Sequence, residues 1–260
     1  LFPLSLLSLL SLSLLSLLSS LSLSLESVFV CGNGKYGRLG LREERNVFRP
    51  TEMVTMRGTP VVAADCGELF TTMLTSNGDC YTCGIVGTSE ENYLKNPAEF
   101  QVPRLLELLS GQPIRCLAAG VTHLVVVVPP NEVYVWGSNL SSTDGVGGGI
   151  DSEPDHYVCT REENSRGGGG GGSVEEEDRP LPELIDVCCG ASHTLVLAKG
   201  GHMWSWGQAN AGELGNNEYV DCLSPTMIQT LDPTQVTIAI AAGGHSCAIM
   251  SERRSSTSST

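Results

Sequence analysis

The chain has 260 residues, 41% of them hydrophobic, enough apolar material to bury a sizeable core. Twenty-nine acidic residues against 15 lysines and arginines leave a formal charge of −14. No basic patch stands out along the sequence, which argues against direct nucleic-acid binding, because cations must outnumber acids locally to release counterions from a phosphate backbone.

Residues 1–27 differ from the rest. Through residue 25 they contain only Leu, Ser, one Phe and one Pro, and the first basic residue is Lys35. A secretory signal starts with a positive region, and nine serines in 25 positions burden a membrane helix. The segment therefore reads as low-complexity sequence, disordered or misassigned coding sequence, with a membrane anchor or targeting segment as the alternative.

From Val28 onward the chain repeats itself over 28–250. Val28–Cys31 is a strand, and Gly32 to Gly40 is a glycine-dense loop holding Gly37 and a buried Leu39. Pro50 starts a short strand to Val54. Val61–Cys66 is the next strand, and Phe70–Thr75 with Cys80–Cys83 forms a hairpin across Asn77-Gly78, a type I′ turn signal. The second copy runs Pro103–Leu106, Ile114–Ala119, Leu124–Val128 and Val133–Trp136. Leu105–Leu109 has a local helical look, which register with the other copies overrules.

The third copy holds Pro154–Val158, Leu184–Cys189, Thr194–Ala198 and Met203–Trp206, with Lys199-Gly200-Gly201-His202 supplying the positive φ of its reversal. About 19 extra residues fall before Leu184. They include six consecutive glycines and the acidic run 175–178, so 159–182 is expected to be a disordered insertion. The fourth copy repeats the glycine loop at Gly207 to Gly215, followed by Pro225–Ile228, Val236–Ala242 and His245–Met250. The polar residues 251–260 are expected to be a disordered tail.

Two markers set the period. The closing glycines Gly32, Gly84, Gly137 and Gly207 lie 52, 53 and 70 residues apart; Gly137 and Gly207 follow Trp136 and Trp206. The opening pairs Gly67 with Phe70, Gly120 with His123, Gly190 with His193, and Gly243 or Gly244 with His245 keep the same spacing. Cut at the closing glycines, the units are 28–84, 85–137, 138–207 and 208–250. About four short antiparallel strands per unit make an all-β propeller pattern of about four blades.

The candidate chemistry resolves into structure. Each histidine recurs at one blade position, so His123, His193 and His245 read as structural groups bonding backbone within their hairpins rather than bases or ligands. Trp136 and Trp206 read as core. The ten cysteines follow the repeat: Cys31 and Cys83 stand where Trp136 and Trp206 stand later, and Cys66 and Cys189 precede opening glycines. They read as small buried residues suited to a reducing, intracellular compartment. Alternation puts Cys80 and Cys83 on opposite strand faces, against a zinc site. The glycine loops lack a phosphate-binding lysine and lead into no helix, so no nucleotide cofactor is expected. No catalytic, cofactor or metal residue is assigned, and the chain is not expected to be an enzyme.

The motif W-G-x-x-x-x-G-x-L-G at Trp206 to Gly215, with Gly212 and Leu214, together with G-x-x-H-T at Gly190 to Thr194 and a period near 52, resembles the repeat of the regulator of chromosome condensation family. That resemblance implies a β-propeller, usually of seven blades, of which about four are present here, as in a fragment of a larger ring. It implies a protein-interaction scaffold, or alternatively a guanine-nucleotide exchange factor for a Ran-like small GTPase, in the cytoplasm or nucleus. The ultraviolet-sensing members need tryptophans clustered at opening positions, and the three here do not fit.

Overall fold

The computed structural model describes residues 27–87, 90–137, 153–160, 181–228 and 234–253. The Leu/Ser segment through residue 26, most of the insertion (161–180) and the tail from 254 lie outside the described residues. Three four-stranded antiparallel sheets follow one another along the chain. The first contains β3 (Val61–Cys66), β4 (Phe70–Thr75), β5 (Cys80–Gly84) and β6 (Arg104–Leu105). The second contains β7 (Cys116–Ala119), β8 (His123–Val128), β9 (Glu132–Gly137) and β10 (Asp155–Val158). The third contains β11 (Leu184–Cys189), β12 (His193–Ala198), β13 (Met203–Gly207) and β14 (Cys222–Met227). A two-stranded sheet of β1 (Phe29–Gly32) and β2 (Val47–Glu52) precedes them, and one of β15 (Gln235–Ala242) and β16 (Cys247–Arg253) follows.

The described residues form a partial propeller of three blades and two half-blades. The sheets pack face to face, with β3, β7, β11 and β15 innermost and adjacent. The sequence explains why. Strands β4, β8 and β12 are buried at every position and read as near-continuous apolar or threonine runs, as a strand covered on both faces requires. Val125, Val127, Val196, Trp204 and Trp206 fill the gap between the second and third blades. Phe70, Leu124, Val126 and Trp136 fill the gap between the first and second. Met53, Met73 and Cys83 join the first half-blade to the first blade.

The repeat length holds, but the blades straddle the closing-glycine cuts. Each sheet takes its fourth strand from beyond the closing glycine, so β1 and β2 are an outer half and β15 and β16 an inner half. Several local expectations change. Pro50 and Pro225 sit inside β2 and β14 rather than starting them. These are the outermost strands of their sheets, where a missing N–H on the free side breaks no ladder bond. In the β4–β5 turn Gly78 has φ +87 while Asn77 does not take positive φ, so the turn is not type I′; the Gly78 N–H instead reaches Thr75 O at 3.0 Å. Between β5 and β6 the lost glycine loop is replaced by two short helices, α1 (Glu90–Lys95) and α2 (Pro97–Phe100). Residues 107–109 form a single 3-10 turn.

The insertion's flanks are ordered: Cys159 is buried, with its N–H on Asn131 O at 2.9 Å, and Leu184 N–H reaches Pro130 O at 2.7 Å. Strand β16 runs to Arg253, three residues past the expected end of the repeats, because Ser251, Glu252 and Arg253 pair with Thr237, Val236 and Gln235.

Candidate interaction face

The opening turns show why glycine precedes an aromatic ring. A Cβ on Gly67 would lie 2.2 Å from the Phe70 ring, one on Gly120 2.1 Å from His123, and one on Gly190 2.0 Å from His193. The ring lies on the bare glycine backbone. Successive turns then link blade to blade: Glu68 N–H to Val121 O at 3.2 Å, Val121 N–H to Ala191 O at 3.2 Å, and Ala191 N–H to Gly244 O at 3.1 Å.

His123 is fully buried, and its Nε2 lies 3.1 Å from Thr194 Oγ1 of the next blade, so it bonds across blades and not within its own hairpin as expected. Burial first, and then the neighbouring His193, pushes its pKa down to about 4, so the ring is neutral at pH 7. Burial likewise lowers His193, although Glu213 opposes it. The expectation for His245 is corrected. The bond that marks the ring position, Gly190 N–H to His193 O at 2.8 Å, is matched in the last turn by Gly243 N–H to Ser246 O at 2.8 Å. Ser246 holds the ring position, while His245 is 72% exposed and faces Glu213 across 3.5 Å.

Closing positions split in the same way. Trp136 and Trp206 are buried, as is Cys83, whose thiol burial pushes up to about 12. Cys31 and Cys66, expected buried, are exposed: Cys31 stands on the half-blade strand that pairs only with β2 among the described residues, and Cys66 is the last residue of β3, an edge strand of its sheet. All ten cysteines are free thiols.

The glycine loops leave the closing glycines on the same rim as the opening turns. Ile85 N–H reaches Leu69 O at 2.9 Å, Gly87 N–H reaches Thr122 O at 2.9 Å, and Gln208 N–H reaches Ser192 O at 2.7 Å. The first and fourth loops share one backbone. Gly37 N–H bonds Gly34 O at 3.1 Å and Gly212 N–H bonds Ala209 O at 3.1 Å. Leu39 and Leu214 are buried, and Arg42 and Asn217, ten residues past their closing glycines, are left-handed at φ +64 and +63. Asn46 Oδ1 accepts from Gly34 N–H at 3.3 Å and Asp221 Oδ1 from Ala209 N–H at 2.9 Å. Pairwise repeat bookkeeping would have exposed this last match in the sequence.

Charge separates the two loops. Residues 35–49 carry five cations and two acids, a net +3; the equivalent residues 210–224 carry three acids and no lysine or arginine, a net −3. The basic stretch escaped the sequence reading because total charge hid it. At one matched outer position stand Phe48, 92% exposed, and Leu223, 71% exposed, the latter beside exposed Tyr219 and Val220. Among the described residues no cluster of His, Cys, Asp or Glu could hold a metal ion, and no helix is long and apolar enough to cross a membrane.

The comparisons with known proteins agree with this architecture. Profiles of the regulator of chromosome condensation (RCC1) repeat match residues 26–74 and 200–250, and, in a second form, 184–213. The secretion-regulating guanine nucleotide exchange factor of Mus musculus is 30% identical over 194 residues, 73% of this chain and 38% of that protein. Among solved structures, human WBSCR16 superposes with a TM-score of 0.67 at 20% identity, over 87% of this chain and 54% of that one. Prp20p of Saccharomyces cerevisiae, described with its binding to Gsp1p and histones, gives a TM-score of 0.63 at 20% identity, over 88% and 52%. The chain thus spans well under half of the mouse relative and about half of each solved neighbour.

Proposed function

Since this chain belongs to the regulator of chromosome condensation repeat family, we propose that it is a protein-interaction scaffold whose binding surface is the rim of glycine loops and opening turns. One observation carries the reading: two loops of the same backbone carry opposite charge, each leading into an outer strand with an exposed apolar side chain, Phe48 or Leu223, while His123, His193, Cys80 and Cys83 are used inside the fold. His123 and His193 are buried and held neutral, and the thiols of Cys80 and Cys83 are raised to about 11 and about 12 by burial, which suits structure and not nucleophilic catalysis. The partner is a protein, direct nucleic-acid contact is not part of the reading, and the free thiols suit an intracellular compartment.

A second reading has specific support. The mouse relative is named an exchange factor, and Prp20p is described as binding Gsp1p. In that reading the same rim would hold a small GTPase and speed nucleotide release without covalent chemistry. A nucleotide-release assay on a panel of small GTPases separates the two. Accelerated release makes the chain an exchange factor; unchanged release, with cross-links from the rim to a protein partner, leaves the scaffold. Unchanged release with no rim cross-links removes both.

A further inference from the structure

We propose that the first glycine loop is a docking site for an acidic protein segment carrying an apolar side chain. This rests on the interaction reading above and gives its partner a chemistry. The loop and the strand after it place Lys35, Arg38, Arg42, Arg45 and Arg49 within 15 residues of a chain whose overall charge is −14. Arg42, Arg45 and Arg49 are exposed. Arg45 shares an exposed pair with Glu43 at 2.5 Å, which solvent screening makes easy to exchange. Phe48 stands 92% exposed between Arg45 and Arg49, in a shallow open depression that these residues line with Asn46 and Val47.

The surface is fixed before anything binds. Tyr36 packs edge-on against Tyr93 at 5.2 Å between ring centroids, and Tyr93 packs on Phe100 at 5.5 Å. Arg42 N–H bonds Gln101 O at 2.9 Å, and Glu44 accepts from the Tyr93 hydroxyl and from Gln101 Nε2. A loop held this way loses little backbone freedom on binding.

The mixture of groups selects the partner. A phosphate backbone rewards an unbroken run of cations, whereas here Glu43 and Glu44 interrupt the arginines. A segment of carboxylates around one aromatic or aliphatic side chain satisfies both the guanidinium groups and Phe48. Pro50 removes an N–H from β2, so side chains rather than strand addition carry the contact.

The test measures fluorescence anisotropy of the full chain with four probes: a labelled Glu/Phe peptide, the same peptide with Gln for Glu, a thymidine oligonucleotide, and phosphatidylserine vesicles. The acidic peptide should bind best and weaken as salt rises. R45E/R49E should weaken it about tenfold, while R45K/R49K, which keeps the charge and controls for folding, retains most of the affinity. F48S should weaken the acidic peptide as well. Equal binding of the Gln peptide, tighter binding of the oligonucleotide or vesicles, or indifference to R45E/R49E each overturns the proposal. Rim cross-links to a protein partner that persist in R45E/R49E would overturn this docking site and leave the scaffold reading standing.

Discussion

The first and fourth glycine loops are one backbone in two settings. Both close on a buried leucine, both turn left-handed at the same place, and both use an Asn or Asp carbonyl or carboxylate oxygen to cap the same N–H. The first is clamped by the helices of the next blade and is basic; the fourth stands against a half-blade and is acidic. The difference teaches that repeat glycines and leucines specify a loop, while its neighbours decide how rigid it is and its free positions decide what it attracts.

The largest expected contrast is at the residue before the closing glycine. Trp206→Ala should cost about 3–5 kcal/mol, because the ring is buried between two blades. Cys31→Ala, at the matched but exposed position, should stay within about 0.5 kcal/mol. Urea midpoints measure both. A Trp206 variant with an unshifted midpoint would sink the inter-blade assignment of that ring.

Next come the two loop glycines. Gly37 and Gly212 both have positive φ, +75 and +80, but a Cβ on Gly37 would meet Gln101 Cα and Phe100 O at 2.6 Å while one on Gly212 meets nothing within 4 Å. Gly212→Ala should cost about 1–2 kcal/mol from backbone strain alone. Gly37→Ala should cost about 2–4 kcal/mol, since backbone atoms of α2 and the residue after it must also move. Equal losses would mean that the helices do not clamp the first loop. The caps should differ by less: about 1 kcal/mol for Asp221→Ala, whose acceptor is charged, against about 0.5 kcal/mol for Asn46→Ala.

The sequence made the blade legible because the repeat averages out local noise. Strands β3, β4 and β11 have the expected ends, and the turn at Gly200 and Gly201 takes positive φ at both glycines. What it hid depends on neighbours far along the chain. Leu and Glu residues of 85–103 gave no sign of replacing a glycine loop with α1 and α2, since a six-residue helix is held by Tyr93 packing on Tyr36 and Phe100, not by its own propensity. His245 was one residue out of phase because the three-residue step from opening glycine to ring leads from Gly243 to Ser246, not to the histidine before it, and the Gly243 N–H to Ser246 O bond places that step. The basic stretch at 35–49 vanished in a total of −14 for a similar reason: charge acts locally, and composition does not.

The smallest expected effect is a difference in acid sensitivity. Glu213 is buried, accepts from Ala211 N–H at 2.7 Å, and faces His245, with His193 and Cys247 also within its electrostatic reach. Burial works to raise its pKa, but the backbone N–H groups and the histidines outweigh it and hold the carboxyl below its usual range. A carboxyl lowered in the folded state stabilises above its unfolded pKa, and that contribution disappears as pH falls through the lowered value. The matched residue of the first loop is Arg38, which donates to Lys35 O and Glu68 O. The carboxyl of that loop is Glu44, lowered first by the Tyr93 hydroxyl, and it accepts from Tyr36 N–H, whereas the Gly37 N–H goes to the Gly34 carbonyl. Hydrogen exchange, corrected for the intrinsic rate, should therefore show the Ala211 amide losing protection in acid before the Gly37 amide does. E213Q should remove that order, and simultaneous loss in the unaltered chain would mean that the two loops open as one unit despite their different charges.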